Sequence, residues 1–136
     1  MSIKITTELI KELRESTGIS VMQCKNALEE AEGNMEKALA ILKKTSSDIA
    51  LKKAGRNAKD GRVCIKTGNL PAGKAGKKSV LVTLHCETDF VSKNEDFVNL
   101  ISNLTEKVFK DGVEKMKVEA KDLIDSVIQK TGEKIE

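Results

Sequence analysis

The sequence predicts an α+β fold: an N-terminal three-helix module, a basic linker helix, then a small antiparallel β-hairpin packed with helices. Three observations carry this reading. Apolar residues recur at helical spacing through residues 5–42 and again through 97–128, with capping residues before the stripes and glycines behind them. Between them, residues 62–67 and 79–86 are rich in β-branched side chains and are joined by a glycine-rich loop. The chain has 136 residues, 39% apolar and 33% charged, which suits one soluble globular domain or two very small ones.

The elements follow in order. Ile5, Leu9 and Leu13 recur every fourth residue, Ile10 widens their stripe, and Gly18 sits where a helix C-cap belongs. Ser20 and Gln23 form a capping box ahead of the apolar face Val21, Cys24, Leu28 and Ala31. Gly33 ends that helix, and Asn34 caps a third whose stripe is Met35, Ala38, Leu39 and Leu42. Helices of about ten residues do not stand alone in water, so the three stripes must pack together as a module over residues 1–45. Residues 46–60 read as a separate basic helix, opened by Ser46, Ser47 or Asp48 and carrying Lys52, Lys53, Arg56 and Lys59. Asp60-Gly61 is a turn signal that begins the third unit, residues 61–136. There the two strands are joined across Gly68, Pro71, Gly73 and Gly76. A capping box of Ser92 and Glu95 then opens a helix with the stripe Phe97, Leu100, Ile101, Leu104 and Val108. Asp111-Gly112 breaks that helix, and a last one carries Ala120, Leu123, Ile124, Val127 and Ile128 before Gly132.

Charge is uneven. Residues 1–45 are neutral overall, residues 46–80 carry +7 and residues 81–136 carry −4, giving the chain's +3. A basic block favours an acidic surface or nucleic acid as a partner, but it governs steering more than identity, and a solvated helix face explains most of these lysines. The chain holds no tyrosine or tryptophan for stacking on bases, so direct nucleic-acid binding is not expected. No run nears the 18 apolar residues of a membrane span, and the N-terminus lacks a signal-peptide core. With Cys24, Cys64 and Cys86 odd in number and unpaired in spacing, a cytoplasmic protein without disulfides is expected. Any nucleophilic catalysis would hang on His85, the single histidine, which reads as an ordinary strand residue.

Two motif-like segments carry no chemistry. Residues 68–75 match the glycine and lysine spacing of a phosphate-binding loop, but Ala75 replaces the metal-binding hydroxyl and a strand follows where a helix is needed. Glu87, Asp89, Glu95 and Asp96 fit no calcium loop. Neither a metal nor a cofactor is expected. The strand-to-helix turn at residues 86–95 is more informative, since binding residues gather on loops held by a rigid scaffold. Phe90, one of three aromatic residues, falls in it. Either it folds back as a hydrophobic staple, or it projects as an apolar wedge beside Asp89.

The run of residues 86–97, Cys-Glu-Thr-Asp-Phe-Val-Ser-Lys-Asn-Glu-Asp-Phe, resembles the signature of the elongation factor Ts family, the guanine-nucleotide exchange factors of elongation factor Tu. Residues 13–18 and 21–29 resemble that family's ubiquitin-associated (UBA)-like N-terminal module, and the order of module, basic linker, hairpin, signature turn and helix also agrees. The resemblance covers residues 1 to about 110. Family members are longer, so the chain is either a shortened form or a piece, with residues 61–136 as part of the family's dimerisation core. A two-stranded hairpin then presents an open edge, to be covered by the following helix or paired with a second copy in a homodimer.

The resemblance implies function. In the family, the module docks on the GTPase domain of elongation factor Tu, which carries over to Arg14, Val21 and Met22. The signature turn enters near the partner's Mg²⁺ site, which carries over to Thr88, Asp89, Phe90 and Val91. It implies a nucleotide exchange factor, not an enzyme, that promotes release of GDP and Mg²⁺ in the cytoplasm with no cofactor of its own. Two rival readings are a ubiquitin-type adaptor acting through residues 1–45 and a ribosome- or RNA-binding protein acting through the basic block. The first leaves the signature turn unexplained, and the second predicts steep salt dependence.

Overall fold

Residues 4–136 are described by the computed structural model. The first three residues of the expected module lie outside them. Helix α1 (Thr7–Thr17) starts where the Thr6 hydroxyl accepts from the Leu9 N–H, and it stops at Gly18, whose left-handed φ of 70° suits glycine. Helix α2 (Val21–Glu30) is capped by Ser20, which accepts from the Gln23 N–H as expected. Glu32 and Gly33 both take positive φ to reverse the chain, and Asn34 caps α3 (Met35–Lys53). Leu13, Ile19, Cys24, Ala27, Leu28, Ala31, Ala38 and Leu42 form the first core. Val21, expected on that apolar face, instead lies outside it: the cap places it on the first turn of α2, 53% exposed.

The third helix of the module and the basic linker helix are one element. No break occurs near residue 46, because the Thr45 and Ser46 hydroxyls donate to the Ile41 and Lys43 carbonyls behind them rather than capping a new start. Packing supports the continuation. Ile49 and Ala50, a turn further on, reach the second core. The helix ends at Lys53, and residues 54–59 are irregular.

Strands β1 (Asp60–Asn69) and β2 (Lys77–Cys86) pair antiparallel, with Ile65 opposite Leu81. Asp60 and Gly61, expected as a turn, belong to β1. A Cβ on Gly61 would overlap the Leu84 carbonyl, so glycine serves close strand approach here. The phosphate-loop lookalike is the end of β1 plus the hairpin tip. Val82, Leu84 and Cys86 alternate inward from β2, while Val63, Ile65 and Leu81 face outward and are exposed.

A one-turn helix, α4 (Asp89–Ser92), follows, then α5 (Glu95–Asp111) and α6 (Val113–Thr131). Ser92 does not cap α5: it closes α4, with its hydroxyl donating to the Asp89 carbonyl, and Asn94 caps α5 instead. The stripe Phe97, Leu100, Ile101, Leu104 and Val108 is buried against the inner face of the hairpin, with Ala120, Val127 and Ile128 of α6 behind it. Burying each such side chain contributes about 1.5–3 kcal/mol. The edge beyond β2 is closed at one position, where His85 and Glu136 exchange backbone hydrogen bonds of 2.7 and 3.1 Å. His85 is thus a strand residue, with its side chain exposed.

The two cores meet along α3 and α6. Lys43 pairs with Asp122 at 3.0 Å. The Lys121 ammonium donates to the Ser47 hydroxyl at 3.0 Å and to the buried Asp125 carboxylate at 2.7 Å. The Gln129 amide donates to the Gln23 carbonyl oxygen at 2.7 Å.

Candidate functional site

The turn between β2 and α5 is built from the inside outward. Cys86 ends β2 fully buried, and its thiol donates to the Thr88 carbonyl at 3.1 Å. Burial, reinforced by the Glu133 carboxylate, pushes this thiol above its ordinary pKa, so it stays protonated and serves as a donor. Thr88 is the N-cap of α4, its hydroxyl accepting from the Val91 N–H at 3.4 Å. That hydroxyl has one proton, which it donates to Glu133 at 2.6 Å. The Glu133 carboxylate also accepts from the Glu87 and Thr88 N–H groups, at 3.1 and 2.9 Å. Glu87 answers in the opposite direction, accepting from the Lys134 N–H at 3.2 Å and from the Arg56 guanidinium at 3.4 Å. The far side is held by Arg62, whose Nε donates to the Ser92 carbonyl at 2.5 Å.

The four expected residues of the turn face different ways. Val91 is buried in the second core, and Thr88 is half-buried and fully engaged in hydrogen bonds. Asp89 and Phe90 face solvent. Asp89 pairs with Lys93 at 3.3 Å one turn on, an exposed contact that contributes little to stability. Phe90 is 84% exposed, so it does not form a staple. Because α4 is one turn long, with Val91 taking the inward position, the neighbouring Phe90 must point outward.

On the module, Arg14 is exposed in the last turn of α1, while Val21 and Met22 lie at the start of α2, 53% and 66% exposed. The residues that the sequence reading missed are those holding the turn: Glu133, Arg56, Arg62 and the backbone of Lys134. Glu133 lies 45 residues from Thr88, just past the left-handed Gly132 that ends α6. Nothing local in the sequence marks it. Among the described residues, no three His, Cys, Asp or Glu side chains are grouped to hold a metal ion, and no helix is long and apolar enough to cross a membrane.

Comparison with known proteins adds two findings. A UBA-like domain family matches residues 6–42, the span of α1, α2 and the start of α3. The chain is also similar to curated proteins named elongation factor Ts. It is 50% identical over 93 residues to that of Clostridioides difficile, covering 68% of this chain and 29% of the relative. Against that of Thermotoga maritima it is 43% identical over 106 residues, 78% and 51% of the two chains. Against that of Chloroherpeton thalassium it is 39% identical over 103 residues, 76% and 34%. The chain thus spans between about a third and a half of the length of such relatives.

Proposed function

We propose, from the premise that the chain belongs to the elongation factor Ts family over the three quarters of its length that align, that it is a translation elongation factor acting in the cytoplasm. In this reading it is a guanine-nucleotide exchange factor that binds elongation factor Tu·GDP and promotes release of GDP and Mg²⁺. One observation carries the reading: Phe90, an aromatic residue in a chain with only three, stands 84% exposed on a turn whose two flanks are tied to the core. A large apolar side chain held in water by a fixed backbone fits a wedge for a partner's crevice.

The mechanism is linkage. A chain that binds the nucleotide-free GTPase more tightly than the GDP-bound form weakens GDP binding by the same factor. Arg14, Val21 and Met22 dock the module on the GTPase domain. Phe90 enters between the elements that hold the partner's metal, with Asp89 perturbing the groups that coordinate it. Thr88 and Val91 set the turn's shape from within. No bond is made or broken by the chain itself, so it acts by binding and not as an enzyme in the usual sense.

The test is release of fluorescent GDP from elongation factor Tu with the parent chain, with Phe90→Ala and with neither. Acceleration by the parent that Phe90→Ala largely loses supports the reading, and equal acceleration by both overturns it. The UBA-like match and the exposed Val21 and Met22 favour a second reading, a ubiquitin-type adaptor. It predicts ubiquitin binding by the whole chain that Met22→Ala weakens and Phe90→Ala leaves unchanged.

A further inference from the structure

We infer that Glu133 is a positioning residue for exchange: it holds the turn at residues 88–91 in the shape that presents Phe90, without touching the partner itself. This rests on the exchange reading above. Three hydrogen bonds converge on one carboxylate, from the Glu87 N–H, the Thr88 N–H and the Thr88 hydroxyl. Two of them meet the backbone where the strand ends. The third orients the hydroxyl. With its only proton committed to Glu133, the Thr88 oxygen presents a lone pair to the Val91 N–H, and that bond closes α4. The clasp is reciprocal, because the Lys134 N–H bonds back to Glu87, which also draws in Arg56 from beyond the end of α3. Hydrogen bonds to an ionised acceptor are the stronger kind, so the clasp favours one backbone geometry over its alternatives. Without it, α4 keeps its Thr88 cap bond, the Arg62 bond to the Ser92 carbonyl and the burial of Val91, but the residues leading into it lose their tie to the end of α6, and a helix of one turn depends on such ties. Phe90 would then sample many directions, of which few fit a crevice.

The experiment uses the 136-residue chain and elongation factor Tu loaded with fluorescent GDP, comparing the parent, Glu133→Ala, Glu133→Gln and Phe90→Ala. Maximal release rate and half-saturating concentration are read separately, beside backbone amide hydrogen exchange of the free chain. Glu133→Ala is expected to lower the maximal rate roughly three- to tenfold with little change in half-saturation, which module docking sets. The Thr88 and Val91 amides should exchange about tenfold faster in it while those of α5 stay protected. Glu133→Gln keeps an oxygen for the two backbone donors and is expected to recover most of both losses. Should Glu133→Ala fail to fold, Glu133→Gln is compared with Thr88→Val, which keeps the shape of the side chain and removes the hydroxyl; Thr88→Val should be slower at saturation and less protected at Val91. Parent-like rates and protection in Glu133→Ala, or in Thr88→Val if that comparison is used, overturn the inference. If Phe90→Ala alone matches the parent, the exchange reading fails instead, and amide exchange still decides whether Glu133 shapes the turn.

Discussion

Two phenylalanines seven residues apart are expected to separate folding from function. Phe97 is fully buried at the start of α5, so Phe97→Ala removes a core ring and leaves a cavity. Such truncations cost about 3–5 kcal/mol. For a chain of this length, each kcal/mol lowers the melting temperature by roughly 3–6 °C, so Phe97→Ala should melt about 10–30 °C below the parent. Phe90 is 84% exposed and touches neither core, so Phe90→Ala should stay within about 0.5 kcal/mol of the parent, a shift of a few degrees at most. The order reverses in exchange. If Phe90 is buried in the partner, losing it removes about 1.5–3 kcal/mol of contact, and the rate of GDP release should fall roughly ten- to 150-fold at limiting chain. Thermal melting by circular dichroism and stopped-flow release of fluorescent GDP read the two quantities independently. A Phe90→Ala variant that melts as early as Phe97→Ala would show that the ring is packed in solution, and the argument from exposure would fail.

Three further outcomes are expected. Ser46→Pro, at a buried position within α3, should cost about 3 kcal/mol or more and split the melting transition as the two cores lose their shared helix, which calorimetry would detect. Gly61→Ala should destabilise the chain by about 1–3 kcal/mol in urea, because its Cβ meets the Leu84 carbonyl, whereas Gly55→Ala, in open space, should be near neutral. Stability should decline in alkali. The thiol of Cys86 is raised by burial and the ammonium of Lys121 by its hydrogen bond to Asp125, so the folded state holds both protons more tightly than the unfolded chain. That stability is fully present below about pH 9 and falls as pH rises through the folded values, beginning with the thiol. Urea midpoints between pH 8 and 11 should therefore slope downward in the parent, and less steeply in Cys86→Ala.

What could be read from the residues was local. The stripe Phe97, Leu100, Ile101, Leu104 and Val108 is buried in full because helical periodicity and a core-facing stripe are the same fact. Caps were legible where one polar residue stood alone, as at Ser20 and Asn34. They misled where several competed. Ser46, Ser47 and Asp48 resemble a helix start, yet Ile49 and Ala50 gain a second core by continuing the helix. Thr88, Ser92 and Asn94 offer three starts within seven residues, and the pull of Val91 into the core selects the outer two. For the same reason spacing left the direction of Phe90 open: its orientation follows from which neighbour is buried. The Glu133 clasp was beyond reach, since it depends on the path by which α6 returns its end to the strand.

The continuity of α3 has a consequence for valency. Its 19 residues make a rod about 28 Å long, rooted in the module's core at one end and in the hairpin's core near the other. A flexible tether between two binding elements would cost entropy each time the second one engaged, and would tolerate partners of many shapes. A shared helix does neither. If the module and the signature turn both engage the partner, as proposed, then once the module has landed the turn arrives at a set offset with no search to perform, and two modest contacts act as one strong one on a partner whose two sites match that spacing. On a partner whose sites are spaced otherwise, the same rod allows only one contact at a time. On the proposed two-site engagement, selectivity is written into a length.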